Sequence, residues 1–275
     1  MYKTIHRISD NLRRSLGLSS PWYRDLCDYY GVTPEQALKL GTRAEGRRPD
    51  LPGSPTTHAL FGKTFEEIWA SRKRDTPTEI HAFWQDMGAW ATFRQVVYHR
   101  SHSFRYLLKE IEAGSRVCEY GAGVGPVSFW LVDHLRKTPL VLTIVDVPSE
   151  HLVFGRWRLQ RRIRELKASI TLEVREVLPD RLPLEGSYDI ITMLEVYEHL
   201  HNPLKVTVHL CDHLQPGGLL WENYIIEDNP AGANLPAAQE ERSQVYAYLR
   251  SHCKLIAGND PDTPDSGGTR CWRRL

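Results

Sequence analysis

Three groups of residues in this sequence have types and spacings suited to chemistry. The first is Glu119-Tyr120-Gly121-Ala122-Gly123-Val124-Gly125, an acid followed by three alternate glycines. Residues without a Cβ take positive φ angles at no steric cost and let the backbone touch a bound molecule. The second is Asp146, which closes the apolar run at 141–145 and lies 21 residues beyond Gly125. A carboxylate at that distance from a glycine turn can accept both ribose hydroxyls of a nucleoside. The third is Glu195-Val196-Tyr197-Glu198-His199. It offers carboxylates, a phenol and an imidazole, the side chains that most often hold or move a proton in catalysis.

Other polar residues compete for attention. Tyr98, His99, His102 and Arg105 stand just ahead of the glycine stretch. His99 and His102 have a spacing that suits a base or a metal, although surface or hydrogen-bonded histidines are the commoner case. His209 and His213 stand four apart but lack the glutamate and third ligand of a zincin site, so no metal centre is expected. Glu222, Asn223 and Tyr224 interrupt an apolar run, and polar groups there require partners or a pocket.

The glycines do not fit the dinucleotide fingerprint G-x-G-x-x-G, because the third comes one residue early and Pro126 occupies its place. An acid followed by G-x-G-x-G instead resembles the first motif of class I S-adenosylmethionine-dependent methyltransferases. Glu195-Val196-Tyr197-Glu198-His199 resembles the E-V-x-E-H segment of the small-molecule branch of that class. The resemblance runs from about residue 116 to 275. It implies a Rossmann-like α/β fold, a seven-stranded sheet of order 3-2-1-4-5-7-6 flanked by helices, and leaves residues 1–105 outside the resemblance, as an N-terminal helical extension read from pattern alone. It also implies S-adenosylmethionine as cofactor, held by Glu119, Gly121, Ala122, Gly123, Gly125, Asp146, Val147, Leu194 and Glu195. Glu119 would face the amino-acid part and Asp146 the ribose. The family's residue beside the adenine is not distinct here: Leu178 stands at the expected place, with Glu176 or Asp180 as polar substitutes. Tyr98, His99, Glu195, Tyr197 and His199 are the candidates for acid–base work.

The elements that must position these residues follow from pattern. Residues 116–120 read as a strand, and Pro126 opens a helix marked by Val127, Trp130, Leu131 and Leu135. Further strands are predicted at 141–145, 170–174, 188–194, 219–226, 253–257 and 269–275, with helices at 150–167, 204–214 and 236–250. Gln215-Pro216-Gly217-Gly218 reads as a sharp stop before the fifth strand. Upstream, Thr33-Pro34-Glu35-Gln36 and Thr76-Pro77-Thr78-Glu79 carry capping-box signatures, and Gly41 is a helix stop. Residues 42–58, rich in proline, glycine and charge, read as a loop. Residues 1–105 are therefore expected to form a helical cap or lid, and 106–275 the cofactor-binding domain.

Composition limits the partners. With 35 basic and 34 acidic side chains among 275 residues, no global field steers the chain to nucleic acid or an anionic membrane. The only dense basic cluster is Arg156, Arg158, Arg161, Arg162 and Arg164 on one predicted helix. Five widely spaced cysteines, no signal-peptide core and no apolar span of membrane length predict a cytoplasmic protein. The expected function is methyl transfer to a small-molecule acceptor. The alternatives are a cofactor-binding partner subunit without turnover, or an RNA methyltransferase that uses the arginine helix. The N/D-P-P-Y segment of base-amino methyltransferases is absent, which lowers nucleic-acid base methylation.

Overall fold

The computed structural model describes residues 21–34, 36–37, 71–99, 102–225, 234–262 and 268–275. The stop at Gly41 and the loop at 42–58 lie outside these residues. Seven strands form one sheet in the order β3-β2-β1-β4-β5-β7-β6. They are β1 (Arg116–Tyr120), β2 (Leu140–Asp146), β3 (Ile170–Glu176), β4 (Tyr188–Leu194), β5 (Leu214–Asn223), β6 (Cys253–Ala257) and β7 (Arg270–Arg274). The first five run parallel, and β7 is antiparallel to both β5 and β6. This is the order expected from the motifs.

Strands β2 and β4 are buried along nearly their whole length, as continuous apolar runs with helices on both faces must be. Side-chain alternation divides the core in two. Cys118, Tyr120, Ile191 and Met193 pack with α6 (Pro203–Asp212) and α7 (Pro236–His252). Val117, Ile144 and Ile190 pack with α4 (Pro126–His134) and α5 (Glu150–Leu166). One element departs from its expected bounds. β5 starts at Leu214, not 219, because Leu214 already pairs with Tyr188 and residues 215–218 are absorbed as an irregularity of the ladder. The Pro-Gly-Gly stop is real as a local kink but does not end the pairing.

Upstream come α1 (Pro21–Tyr30), α2 (Pro77–Gln85) and α3 (Ala89–His99). Thr76 and Glu79 cap α2 reciprocally, as their spacing predicts. Leu107 does not continue α3 but sits in a separate 3-10 turn, Arg105–Lys109. A third core joins this extension to the domain: Tyr23 and Leu26 of α1 and Phe93 and Val96 of α3 meet Val124 and Phe154. No helix among the described residues is long and apolar enough to cross a membrane.

The arginines of α5 serve this junction. Arg158 is fully buried, its guanidinium lying 4.2 Å from the Trp22 ring centre and 3.9 Å from that of Phe129. Its Nε is 3.6 Å from Asp25 Oδ2, too long for a hydrogen bond, and Asp25 is equally buried. Burial pushes the Asp25 carboxyl up to about 6 even though Arg158, Arg161 and Arg24 pull it down. Arg161 pairs with Asp28 and Glu165, and Arg162 with Asp133. Removing one member of a buried pair strands the other charge, whereas replacing both by apolar groups need not. Asp25→Ala should therefore lower the unfolding free energy by about 3–5 kcal/mol, and Asp25→Leu with Arg158→Met by much less. Urea unfolding measures both; equal losses would show that this charge pair does not hold α1 in place.

Candidate active site

The site is built at the C-terminal end of β1, the strand between β2 and β4. There the chain turns back on itself: Gly121 N and Ala122 N both donate to Val145 O, at 2.8 and 2.9 Å. Gly121 and Gly123 have φ of 71° and 51°, in the left-handed region that favours glycine. A Cβ on Gly121 would lie 2.2 Å from Val196 Cγ2, and one on Gly123 would lie 2.2 Å from Gln95 Oε1. The backbone itself is thus the surface that a ligand meets. Gly125, also left-handed, is the N-cap of α4, and Pro126 takes its first position, where no amide donor is required.

Two carboxylates hold the turn. Glu119 is buried, and its Oε1 and Oε2 accept from Val127 N at 2.9 Å and Ser128 N at 2.8 Å. It serves as a lateral cap for two of the amides that the start of α4 leaves unpaired. Burial pushes its carboxyl up to about 7, against the pull of those bonds. Asp146 Oδ2 accepts from Gly123 N at 2.5 Å and Oδ1 from Val147 N at 2.7 Å. Burial raises Asp146 to about 6, again opposed by its two amide bonds.

Above the turn lies a cavity of about 850 Å³, within the range of small-molecule sites. Glu119, Gly121, Ala122, Asp146, Val147, Leu178, Leu194, Glu195, Tyr98, His99 and His199 all line it. The upstream helices form its roof. His81 of α2 bonds Val177 O at 2.8 Å, His201 bonds Arg74 O at 2.6 Å, and Gln95 Oε1 of α3 accepts from Val124 N at 3.2 Å. Of the candidates for the adenine end, Leu178 and Asp180 line the cavity, whereas Glu176 is exposed and does not.

Just past β4, Glu195 has φ of 58°, a left-handed conformation that costs a non-glycine residue about 1–3 kcal/mol. Two contacts hold it: its N donates to Asn223 Oδ1 at 2.5 Å, and its Oε1 accepts from Tyr98 OH at 3.2 Å. Tyr98 packs against His99 and His102, whose rings are 5.0 Å apart. Both Nδ1 atoms are covered and lack a hydrogen-bond partner among the described residues. Burial, with His102 adding to it, lowers His99 to about 3, so its imidazole is neutral at physiological pH. His199 packs on Trp84 at 5.0 Å, with Nε2 3.9 Å from Glu198 Oε1. Glu198 is buried, lines the cavity and is raised to about 8 by that burial.

Several polar residues singled out by sequence are placed elsewhere. Tyr197 is fully buried outside the cavity lining, stacked on Tyr224 at 4.8 Å and bonded to Thr207 at 3.0 Å. Glu222 joins Trp272, Tyr246 and Arg270 in a buried network that ties β5 to β7 and α7. Tyr224 OH donates to Ala238 O, and Arg105 is exposed. His209 accepts from Leu184 N at 3.1 Å, and His213 Nδ1 meets Gly186 O at 2.6 Å, so both brace the loop before β4. No group of three or more metal-ligating side chains occurs among the described residues.

Comparison with known proteins agrees with this geometry. A methyltransferase-domain family matches residues 90–252, more than half of the chain. The chain belongs to this family. A ubiquinone biosynthesis O-methyltransferase of Xanthomonas campestris is 27% identical over 110 residues, covering 39% of this chain and 42% of its own. Another of that name, from Albidiferax ferrireducens, is 23% identical, covering 62% and 71%. The chain thus spans about two-fifths of the length of the first curated relatives it matches. The structure of the pyocyanin biosynthetic protein PhzM is 14% identical with a TM-score of 0.49, covering 92% of this chain and 73% of that one.

As a class I methyltransferase domain, the chain takes S-adenosylmethionine as its cofactor, and the residues present fit that molecule. Gly121 and Ala122 of the turn and Asp146 at the end of β2 line one cavity, whereas Gly123 and Gly125 shape the turn without lining it. Sequence reasoning missed three contributors. Gln95 was not among the polar residues singled out ahead of the glycine stretch. Glu198 was part of a quoted motif but was not nominated. Gly155, in the middle of α5, carried a usable signal, since an interior helical glycine costs about 1 kcal/mol relative to alanine and implies a packing reason. The reason is contact: a Cβ there would lie 2.7 Å from Gly123 O. Gly155→Ala should therefore destabilise the domain by about 1–3 kcal/mol despite alanine's better helix propensity. A raised melting temperature would show that α5 does not press on the turn.

Proposed function

We propose that this chain transfers the methyl group of S-adenosylmethionine to a hydroxyl of a small molecule in the cytoplasm. The observation that carries the reading is the shared cavity: Gly121 and Ala122 of the glycine turn and Asp146 line it together with Tyr98, His99, Glu195, Glu198 and His199. The names of the curated relatives support an oxygen acceptor. A small acceptor fits the enclosure better than RNA does, because none of the five arginines of α5 lines the cavity and three are engaged with acids. The unpaired cysteines suit a reducing compartment.

The cofactor, when bound, supplies a methyl group already activated for transfer. The protein's work is alignment and exclusion of water. Asp146 and the side-chain-free backbone surface of the glycine turn hold the nucleoside. Glu119 fixes the start of α4 and so the shape of the turn. Neutral His99, with His102, meets the acceptor as a hydrogen-bond partner; a group held near 3 is too weak a base to take a hydroxyl proton at neutral pH. His199, beside Glu198, and Glu195, bonded to Tyr98, are the groups that would receive that proton. Tyr197 supports this wall from the core.

Calorimetry with S-adenosylhomocysteine tests the cofactor end. Asp146→Ala and Gly123→Val should each abolish measurable binding, and wild-type affinity should weaken as pH falls through about 6. The sign follows from the carboxyl: raised to about 6, Asp146 is ionised and a full acceptor above that value and protonated below it. Unchanged affinity in both variants would overturn the site. Release of S-adenosylhomocysteine with a panel of hydroxylated aromatic and aliphatic acceptors tests transfer, and methylation only of amines would overturn the hydroxyl assignment.

A further inference from the structure

The start of α5 holds two buried polar atoms that no described residue satisfies. Ser149 is the N-cap of this helix, with the extended backbone (φ −125°, ψ 169°) of a capping residue, yet its side chain makes no cap bond. Its Oγ is covered and lacks a partner among the described residues, and the same holds for His151 Nε2 two residues on. Both residues are only 4% exposed. Both also line the cavity, beside Asp146 and Val147 and beneath Met87, Ala91 and Gln95 of the roof.

A serine at an N-cap ordinarily bonds an amide of the first turn. One that leaves that amide and faces a cavity has given up an internal partner, and a buried polar group without a partner is costly unless a ligand supplies one. The choice of ligand group follows from position. Ser149 is three residues after Asp146, on the connection that leaves the same strand. Each Asp146 oxygen already accepts one amide, from Gly123 or Val147. A ribose diol presents two hydroxyls, each both donor and acceptor, and needs more partners than one carboxylate so engaged provides. A hydroxyl and a neutral imidazole, each able to donate or accept, match that demand, and burial keeps His151 neutral by lowering it to about 4.

We infer that Ser149 and His151 are binding residues for the ribose hydroxyls of the nucleoside, completing with Asp146 a three-residue clasp at the end of β2 and the start of α5. This rests on the cofactor reading above and deepens it. It also accounts for the absent cap bond, since the hydroxyl is oriented for the ligand and not for the helix.

The test is a cycle between protein and ligand. S-adenosylhomocysteine and its 2′-deoxy and 3′-deoxy analogues are titrated calorimetrically into the full chain, wild type and the variants Ser149→Ala and His151→Gln. Wild type should bind the deoxy analogues about tenfold more weakly. Each variant should weaken the parent ligand by a similar factor and shrink at least one of the deoxy penalties towards unity. The melting temperature of ligand-free Ser149→Ala should match wild type, because no cap bond is lost. That separates a ligand contact from a structural one and keeps the test open if His151→Gln folds poorly. Full affinity in both variants, or deoxy penalties undiminished in both, would overturn the clasp while leaving the cofactor site standing. No binding of S-adenosylhomocysteine to wild type would instead overturn the proposed function and the clasp with it.

Discussion

Carboxylates that accept backbone amides are the interaction on which the rest of this structure depends. The glycine turn after β1 packs only Ala122 and Val124 into the cores, so hydrophobic contact holds it at two points and leaves its glycines to polar contacts. Its shape comes from Asp146 on Gly123 N and from Glu119 on the first amides of α4. Both acids sit at strand ends, and strand ends in a parallel sheet are fixed by the whole hydrogen-bond ladder. The sheet's rigidity is thereby passed to a loop with none of its own. The same bonds explain why both carboxyls tolerate burial, since charge-assisted bonds to amides offset part of the cost of leaving water.

The wall around Glu195 follows a different logic. There the polar groups come from separate elements and meet in side-chain contacts: Tyr98 of α3 on Glu195 after β4, and Asn223 of β5 on the Glu195 amide. Glu195 holds a left-handed backbone that its residue type disfavours, which places strain on the loop after β4.

How much of this was legible in the sequence depended on whether the signal was local. Strand β1, its glycines, Pro126 and the helix after it form one local pattern, and Asp146 closes a run whose burial was evident from its composition. The order of the sheet followed from motif resemblance and agrees with the structure. Tyr197 was misplaced because a 3-10 turn at Tyr197–His199 sends neighbouring side chains to opposite sides, one into the core and one into the cavity. No spacing rule for strands or α-helices foretells that. Glu222 was read as needing either partners or a pocket, and nothing local decided between them: Arg270, Tyr246 and Trp272 reach it only through the tertiary fold. The arginines of α5 looked like a surface for anions. Asp25 and Asp28, which pair with Arg158 and Arg161, lie on α1, more than a hundred residues away, and distant charge pairing leaves no trace in a window of sequence.

That separation has a consequence for synthesis. Arg24 and Glu165, which pair across α1 and α5, are 141 residues apart. At about 5–20 residues per second, α1 leaves the ribosome many seconds before the helix that receives it exists. During that interval Asp25 lacks Arg158 and Arg161, and the core around Tyr23 and Leu26 lacks Phe154. The docking of helix α1 is therefore completed only once α5 has been made.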